Sequence, residues 1–355
     1  MGDVVWWGIT VLQALALLTL VIALFLFAVH LYYRLKFLDH IIRIFEEKPL
    51  FIIPRGTPEP GAEDVRLPAG DGRTLRGCYL SARGPRRGVI LFGLEFGSNR
   101  WASVQYCAKL RDAGYDVFAY EPRNQGESDK DDSYKPLQWV TDKDLADMRA
   151  AVAYLKARPD APADGIGILG VSKGGSVGLL VAADDRWVKC VATDGAYATY
   201  TTMVPYMRRW VSIYSSRKWL QANMPDWLYG TIGSVAIREA ADRRAVQFLS
   251  VERAVKRMRQ PLFMIHGGAD TYIKPEMAEA LFARAGSRDK TLWLVPNAKH
   301  NQALHAAGDE YHRRLAAFFT RHLGVAADVA ATTPPDGTPP LEPQDSGRLA
   351  AAGAE

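Results

Sequence analysis

The sequence has few cysteines. Cys78, Cys107 and Cys190 are far apart among 355 residues and odd in number. This excludes a disulfide framework as the organising principle, and the lack of a CxxC pair gives no indication of zinc. A concentrated basic region is also lacking, because 44 Lys and Arg residues are spread along the chain against 39 Asp and Glu residues. Nucleic acid is therefore not an expected partner, and no metal or other cofactor is expected.

Charge is absent from Val4 to Tyr33, a run of 30 residues. About 20 apolar helical residues cross a bilayer, so the run predicts a transmembrane anchor over residues 1–36 and a membrane as partner. The end pairs Trp6-Trp7 and Tyr32-Tyr33 are typical of membrane interfaces. A cleaved signal peptide is the alternative. Such a peptide normally has a basic start, which Met1–Asp3 lacks, and an apolar stretch of only about 7–15 residues.

Positive charge follows the apolar run and does not precede it. The residues concerned are Arg34, Lys36, Arg43 and Lys48. The positive-inside rule therefore predicts that the rest of the chain is cytoplasmic. Residues 37–60 are interpreted as a juxtamembrane stalk, with an interfacial amphipathic helix over Phe37–Phe45 as the alternative for their first part.

The other end of the chain, residues 325–355, has five prolines and no aromatic residue. Such a segment buries too little apolar surface to offset its ordering entropy, so we predict a disordered tail.

The remaining residues, 61–324, contain no internal repeat and predict one α/β domain. A hairpin over 65–69 and 74–82 comes first, and strand and helix patterns then alternate. The strands are predicted at 88–93, 115–120, 165–170, 188–193, 261–267 and 290–296, and the helices at 101–113, 137–157, 173–183, 275–285 and 302–322. This order predicts a mostly parallel sheet flanked by helices, in which ligands bind beyond the carboxyl ends of the strands.

A G-x-S-x-G sequence stands at one of those strand ends. Gly170-Val171-Ser172-Lys173-Gly174 follows a predicted strand and opens a predicted helix, the context of a nucleophile elbow. An ordinary glycine-rich turn is the alternative, because the motif alone is short. The context favours Ser172 as a nucleophile.

A nucleophilic serine needs a base, and the base needs an orienting acid. Asp270 and His300 follow later strands, in the chain order Ser, Asp, His that this fold uses. We therefore predict a triad of Ser172, Asp270 and His300. Asp194 is the reserve acid. The other histidines of the α/β domain are predicted on the last helix or in a strand, and they are His266, His305, His312 and His322.

An oxyanion hole is also required. One donor is predicted to be the backbone N–H of Lys173, directly after the nucleophile, and the second to lie in the loop after strand 88–93.

With these motifs, the sequence resembles the α/β-hydrolase superfamily, and within it membrane-anchored serine hydrolases similar to lysophospholipases and monoacylglycerol lipases. The resemblance rests on GVSKGG (170–175), HGGAD (266–270), AKH (298–300) and GYDVFAYEPRNQGESD (114–129). It implies an α/β-hydrolase fold with a helical lid. One departure is Leu94-Glu95, where the family usually has His-Gly. By position, the N–H of Phe96 is then the second oxyanion donor, and an ionised Glu95 nearby would be unfavourable.

The interval 196–260, where the family carries its lid, is rich in aromatic and methionine residues. This favours an apolar acyl pocket, although packing of the lid on the core is an equal alternative. Three hypotheses follow: a membrane-anchored serine esterase or lipase acting on an acyl ester through an acyl-enzyme, an acyltransferase or thioesterase with the same triad, and a non-catalytic binding protein on this fold.

Overall fold

The computed structural model of the chain describes residues 2–46, 53–214 and 223–323. Three predicted segments therefore lie partly or wholly outside the described residues. They are the whole tail at 325–355, residues 47–52 of the stalk, and residues 215–222 of the lid, which include Trp219.

Eight strands form one sheet in the order β1-β2-β4-β3-β5-β6-β7-β8. Their bounds are β1 Glu63–Pro68, β2 Thr74–Leu80, β3 Gly88–Gly93, β4 Tyr115–Glu121, β5 Ile166–Val171, β6 Val188–Asp194, β7 Leu262–Gly267 and β8 Lys290–Val295. Strand β1 pairs antiparallel with β2, and β2 pairs antiparallel with β4, whereas all other neighbours are parallel. The predicted mostly parallel sheet is confirmed. Its central strands are apolar throughout because helices cover both faces.

The helices of the described residues are α1 Gly2–Glu46, α2 Ser103–Asp112, α3 Asp142–Ala157, α4 Lys173–Asp184, α5 Thr199–Tyr214, α6 Asp226–Arg244, α7 Val251–Arg257, α8 Pro275–Arg284, α9 Ala303–Ala307 and α10 Asp309–Leu323. Apolar residues of α3, α4, α7 and α8 form the core on one face of the sheet. Residues of α2 and α10 form the core on the other face. Because β3, β5, β7 and β8 are parallel, their carboxyl ends lie at the same edge of the sheet. The predicted site residues come directly after these strand ends.

Two helix boundaries differ from the sequence prediction. Helix α3 begins at Asp142 instead of 137, because the Asp144 carboxylate accepts hydrogen bonds from the backbone N–H and hydroxyl of Thr141, both at 2.8 Å. The predicted helix at 302–322 is interrupted at Gly308, whose φ of +53° is not helical. Local capping and turn geometry therefore fix both boundaries.

Helix α1 is long enough and apolar enough to cross a membrane, a property that a signal sequence near an N-terminus shares. Most of its apolar side chains between Val5 and Leu35 are exposed, whereas Val29 and Tyr33 are half-buried against the domain. The helix does not stop at the predicted boundary of 36 but continues to Glu46, and Ile41 and Ile42 are buried against the domain. The first part of the predicted stalk, residues 37–46, is thus helical, and Ile41 and Ile42 pack it on the domain.

The surface that receives them is an apolar cluster above the carboxyl edge of the sheet, which we call the lid cluster. Its buried members include Tyr134, Leu137, Trp139, Tyr197, Met203, Met207, Met224, Leu228, Tyr229, Ile232 and Ile273. Helix α6 runs beside α1, and an ion pair between Arg243 and Asp39 at 3.1 Å joins them. The lid thus packs against both the α/β core and the N-terminal helix.

Candidate active site

Ser172 lies at the junction of β5 and α4 with φ 51° and ψ −117°, a strained conformation for a residue with a side chain. Glycines on either side permit this sharp turn. A Cβ built on Gly170 would lie 2.4 Å from the Gly175 Cα, and one built on Gly174 would lie 2.3 Å from the Gly93 carbonyl. No larger residue fits at either position without moving backbone. The predicted strand–turn–helix context is therefore present.

The structure brings Ser172, His300 and Asp270 into one row of hydrogen bonds. Ser172 Oγ is 3.0 Å from His300 Nε2. His300 Nδ1 is 2.6 Å from Asp270 Oδ2. All three side chains are buried, so these contacts are shielded from competing water.

Backbone donors hold the Asp270 carboxylate in place. Its Oδ1 accepts hydrogen bonds from the N–H groups of Tyr272 at 2.8 Å and Ile273 at 2.9 Å. The Tyr272 ring lies against the His300 ring with centroids 5.2 Å apart. The loop after β7 thus orients the carboxylate and covers one face of the imidazole.

The reserve acid and the other histidines occupy different places. Asp194 is fully buried below the elbow, and its carbonyl accepts the Ser172 N–H at 2.7 Å. His266 is buried beside Asp270, with Nε2 2.7 Å from the Ile273 carbonyl oxygen, and burial lowers its pKa. His305 is exposed on α9, and His312 lies on α10. Asp270, rather than Asp194, therefore holds His300 Nδ1.

The predicted oxyanion loop follows β3 and is fixed by the turn after β4. The Gly97 N–H donates to Gln125 Oε1 at 2.8 Å, and the Ser98 N–H donates to the Glu95 carbonyl at 3.3 Å. Phe96 is buried beside Lys173, with its ring centre 5.6 Å from Lys173 Nζ. Both predicted donor residues therefore flank the elbow, and the donor roles of their N–H groups stay predictions.

The side chain of Lys173 is buried, and the sequence analysis predicts a role only for its backbone N–H. Its Nζ donates to Asp144 Oδ1 at 2.7 Å and to the Leu137 carbonyl at 2.6 Å. A buried ammonium is costly unless it is paired and hydrogen-bonded, and both conditions hold here. The capping carboxylate of α3 thus also anchors the residue after Ser172. The position of the lysine inside the elbow motif is a sequence signal for a role at the site, but the sequence does not identify Asp144 as its partner.

Glu95 is buried beneath the site and binds the residue after His300. Asn301 Nδ2 donates to Glu95 Oε2. Burial, with the nearby Asp194 charge, raises the pKa of Glu95 to about 9. Burial also raises the pKa of Asp194 to about 7. Glu95 is therefore neutral at pH 7, which removes the unfavourable charge expected of an ionised carboxylate near an oxyanion.

This pair predicts how stability depends on pH. A carboxyl group whose pKa is higher in the folded than in the unfolded protein contributes its full stabilisation of the fold below the unfolded pKa, which is 4.5 for Glu95. That contribution is lost as pH rises toward the folded pKa of about 9. Above pH 7, Asp194 is largely ionised, so Glu95 is the member of the pair that still causes the loss. We expect Glu95→Gln to flatten the fall in unfolding free energy between pH 7 and 9. The limiting slope for one proton is about 1.4 kcal/mol per pH unit. Urea denaturation across this range measures it, and parallel slopes in the two proteins would contradict a neutral buried Glu95.

Known proteins share this architecture. Residues 92–318 match the model of the Alpha/beta hydrolase family. The Escherichia coli K12 protein YfhR is 25% identical over 277 residues, which cover 75% of this chain and 84% of YfhR. Acyl-coenzyme A thioesterase 1 of Mus musculus is 28% identical over 144 residues, covering 40% of this chain and 32% of the thioesterase.

A solved structure shows the same fold. The Pyrococcus furiosus esterase Pf2001 superposes with a TM-score of 0.58 at 21% identity, covering 78% of this chain and all of that chain. The family match spans more than half of the sequence and contains the elbow, the acid loop and the histidine loop. The chain belongs to the alpha/beta hydrolase family.

Proposed function

We propose that the chain is a membrane-anchored serine hydrolase that cleaves carboxylic esters with lipid-like acyl groups. The observation that carries this proposal is the hydrogen-bonded row from Ser172 through His300 to Asp270, at 3.0 Å and 2.6 Å. A hydroxyl within reach of an imidazole, which is itself oriented by a buried carboxylate, is the arrangement that nucleophilic catalysis by serine requires.

In the proposed reaction, Ser172 Oγ attacks the ester carbonyl carbon while its proton passes to His300 Nε2. The tetrahedral intermediate collapses, the bond to the alcohol oxygen breaks, and His300 returns the proton to the leaving alcohol. Water then attacks the acyl-enzyme and gives its proton to His300. The free acid leaves as Ser172 Oγ is protonated again. Asp270 stays ionised and stabilises the imidazolium.

The oxyanion formed in each half-reaction needs donors aimed at it. We assign these to the backbone N–H groups of Lys173 and Phe96. Lys173 lies at the start of α4, where the helix dipole also favours negative charge. Its ammonium is held by Asp144, so the side chain is directed away from this role.

The strain at Ser172 argues against a non-catalytic scaffold. A non-glycine residue in such a region costs about 1–3 kcal/mol and persists where function selects it. A binding protein on this fold has no need of that cost or of a histidine 3.0 Å from the serine oxygen.

The first test concerns the nucleophile and base. Ser172→Ala and His300→Ala should each lower ester hydrolysis by roughly 10⁴-fold or more, because the two act as a unit. Both should retain the fold, since few atoms are removed. Labelling by a fluorophosphonate probe and p-nitrophenyl ester kinetics measure the effect, with His305→Ala as the matched histidine control. A Ser172→Ala protein that still hydrolyses and labels would refute the proposal.

The same assay identifies the acid. Asp270→Asn should lose most activity because His300 Nδ1 loses its charged partner, while Asp194→Asn should lose less. The reverse order would assign the acid to Asp194.

The lid supports an acyl substrate. Aromatic and methionine side chains of the lid cluster lie above the carboxyl edge of the sheet, next to the triad through Tyr272. The row Trp139–Tyr206–Tyr272 contacts His300, with successive ring centres 5.8 Å, 5.9 Å and 5.2 Å apart. These residues favour an apolar acyl group over a small polar one.

A thioesterase is the second candidate, because the acyl-coenzyme A thioesterase aligns over 144 residues. For an acyl ester we expect kcat/KM to rise roughly 100-fold over three or four added methylenes, since each buried CH₂ contributes about 0.8 kcal/mol. Turnover of p-nitrophenyl esters from acetate to dodecanoate, beside acyl-coenzyme A thioesters of equal length, tests this. A flat profile would contradict a lipid-like substrate, and a clear preference for thioesters would replace the esterase proposal.

We also propose that α1 spans a membrane with the hydrolase domain in the cytoplasm. The exposed apolar surface of α1 and the basic residues that follow it support this orientation. A reporter enzyme fused after Leu323 should therefore be active on the cytoplasmic side, and the protein should remain in membranes at alkaline pH. Digestion of the domain by protease added outside intact cells would contradict the orientation, and release of a soluble chain shortened at its N-terminus would indicate a signal peptide.

A further inference from the structure

A groove of about 890 Å³ lies between the N-terminal helix and the lid. One wall is α1, with Leu26, Phe27 and His30. The other is formed by α5 and α6, including Met203 and Gly230. None of these residues belongs to the triad or to the oxyanion loop. The groove is therefore a concave site separate from the triad.

The position of the groove along α1 identifies its surroundings. Phe27 precedes the interfacial aromatic pair Tyr32-Tyr33 by five residues, which is about 8 Å along a helix. In the proposed membrane orientation, this end of the groove lies inside the hydrocarbon layer. The side chain of Phe27 is 63% exposed, as expected of a surface in contact with lipid.

The lid presents matching apolar surface at the same place. Beyond α1, the most exposed large apolar side chains of the described residues are Trp227 at 51% and Tyr200 at 37%. Both line the groove. Isolated exposed apolar residues are common, but two at the mouth of one groove beside a membrane helix indicate an interaction site.

The groove also has a polar end. Arg243 of α6 pairs with Asp39 of α1, and Gly230 and Leu26 each lie thirteen residues earlier in their helices. The two helices therefore run in the same direction, so Arg238 lies nearer the cytoplasmic end of the groove than Trp227 does. An apolar end in the bilayer and a guanidinium toward the interface match an amphiphile with an acyl chain and an oxygen-rich head group.

We propose that this groove binds the acyl chain of a bilayer lipid, with the ester and head-group oxygens toward Arg238, as the docking position from which substrate reaches the lid. The first part rests on the proposed membrane orientation, and the second rests also on the proposed hydrolase activity. Met203 connects the two sites, because it lines the groove and is buried in the lid cluster with Trp139 and Tyr197. The Tyr197 carbonyl in turn accepts a hydrogen bond from Ser176, one helical turn after Ser172, at 2.7 Å.

Gly230 offers a direct test. It lines the groove, and a Cβ built on it meets no atom within 4 Å, so a larger side chain enters open space. Gly230→Phe should fill the groove without disturbing the core, and it replaces a helix glycine with a better helix former. Asp242→Phe is the matched control, because it places the same side chain at an exposed position of α6 that is not part of the groove.

The full-length protein is reconstituted in phosphatidylcholine vesicles containing a phosphatidylcholine with a diazirine on its acyl chain, and cross-linked peptides are identified by mass spectrometry. We expect lipid adducts on the α6 peptide around Trp227–Ser234. They should fall at least tenfold in Gly230→Phe and stay unchanged in Asp242→Phe. Equal labelling of α6 in Gly230→Phe would overturn the proposal, as would a protein–protein cross-link there in place of a lipid adduct.

Hydrolysis gives the second readout. In Gly230→Phe, the ratio of vesicle-ester turnover to soluble acetate-ester turnover should fall about tenfold, and an unchanged ratio would overturn the docking role. The Ser172→Ala protein should keep the α6 adducts while losing hydrolysis. If instead Ser172→Ala hydrolyses normally, the proposed function fails, and the adducts still decide whether the groove binds lipid.

Discussion

The site depends on a close approach of backbones around the elbow. Gly174 packs on the carbonyl of Gly93 at the end of β3, and Gly170 packs on Gly175 at the start of α4. Side chains are excluded at these contacts, so the turn at Ser172 can be sharp enough to present its oxygen above the sheet. The same approach places the loop after β3 next to the elbow, where an oxyanion hole has to be. One steric constraint therefore positions both the candidate nucleophile and the loop that we propose stabilises the oxyanion.

Three buried titratable side chains around this turn are each compensated. Lys173 is paired with Asp144, and Asp270 accepts two backbone N–H bonds besides its contact with His300. Glu95 lacks a cationic partner in the described residues around it, and burial keeps it protonated instead. As a result, Asp270 is the carboxylate that contacts the His300 imidazole. A low-dielectric surrounding strengthens that interaction, and it also makes an uncompensated second charge expensive.

Much of this was accessible from the sequence, for identifiable reasons. The strands are continuous apolar runs bounded by glycines, and residues that follow parallel strands meet at one edge, so Ser172, Asp270 and His300 could be brought together without coordinates. The partners of Lys173 and Glu95 could not be predicted from the sequence. Asp144 and Asn301 are far away in the chain, and nothing in local periodicity indicates that a capping carboxylate or an asparagine amide will meet them. The packing of Ile41 and Ile42 could not be predicted for the same reason. An amphipathic pattern shows that one face of a helix will be buried, but it does not show which surface buries it.

The packing of Ile41 and Ile42 joins the N-terminal helix to the lid, two parts of the molecule that the sequence analysis describes separately. If α1 were only a tether, its last turns would have no reason to bury apolar residues in the lid cluster. Ile41, Ile42 and the Asp39–Arg243 ion pair fix the lid helix α6 to the helix that we propose lies in the membrane. The ion pair is exposed and contributes little by itself, so the buried isoleucines carry most of this attachment. In the membrane orientation that we propose, this attachment would hold the lid in a constant orientation to the bilayer, so an apolar substrate would pass from lipid to lid without crossing water. The acyl chain of the proposed substrate would then never have to be hydrated, a cost that otherwise rises with each methylene.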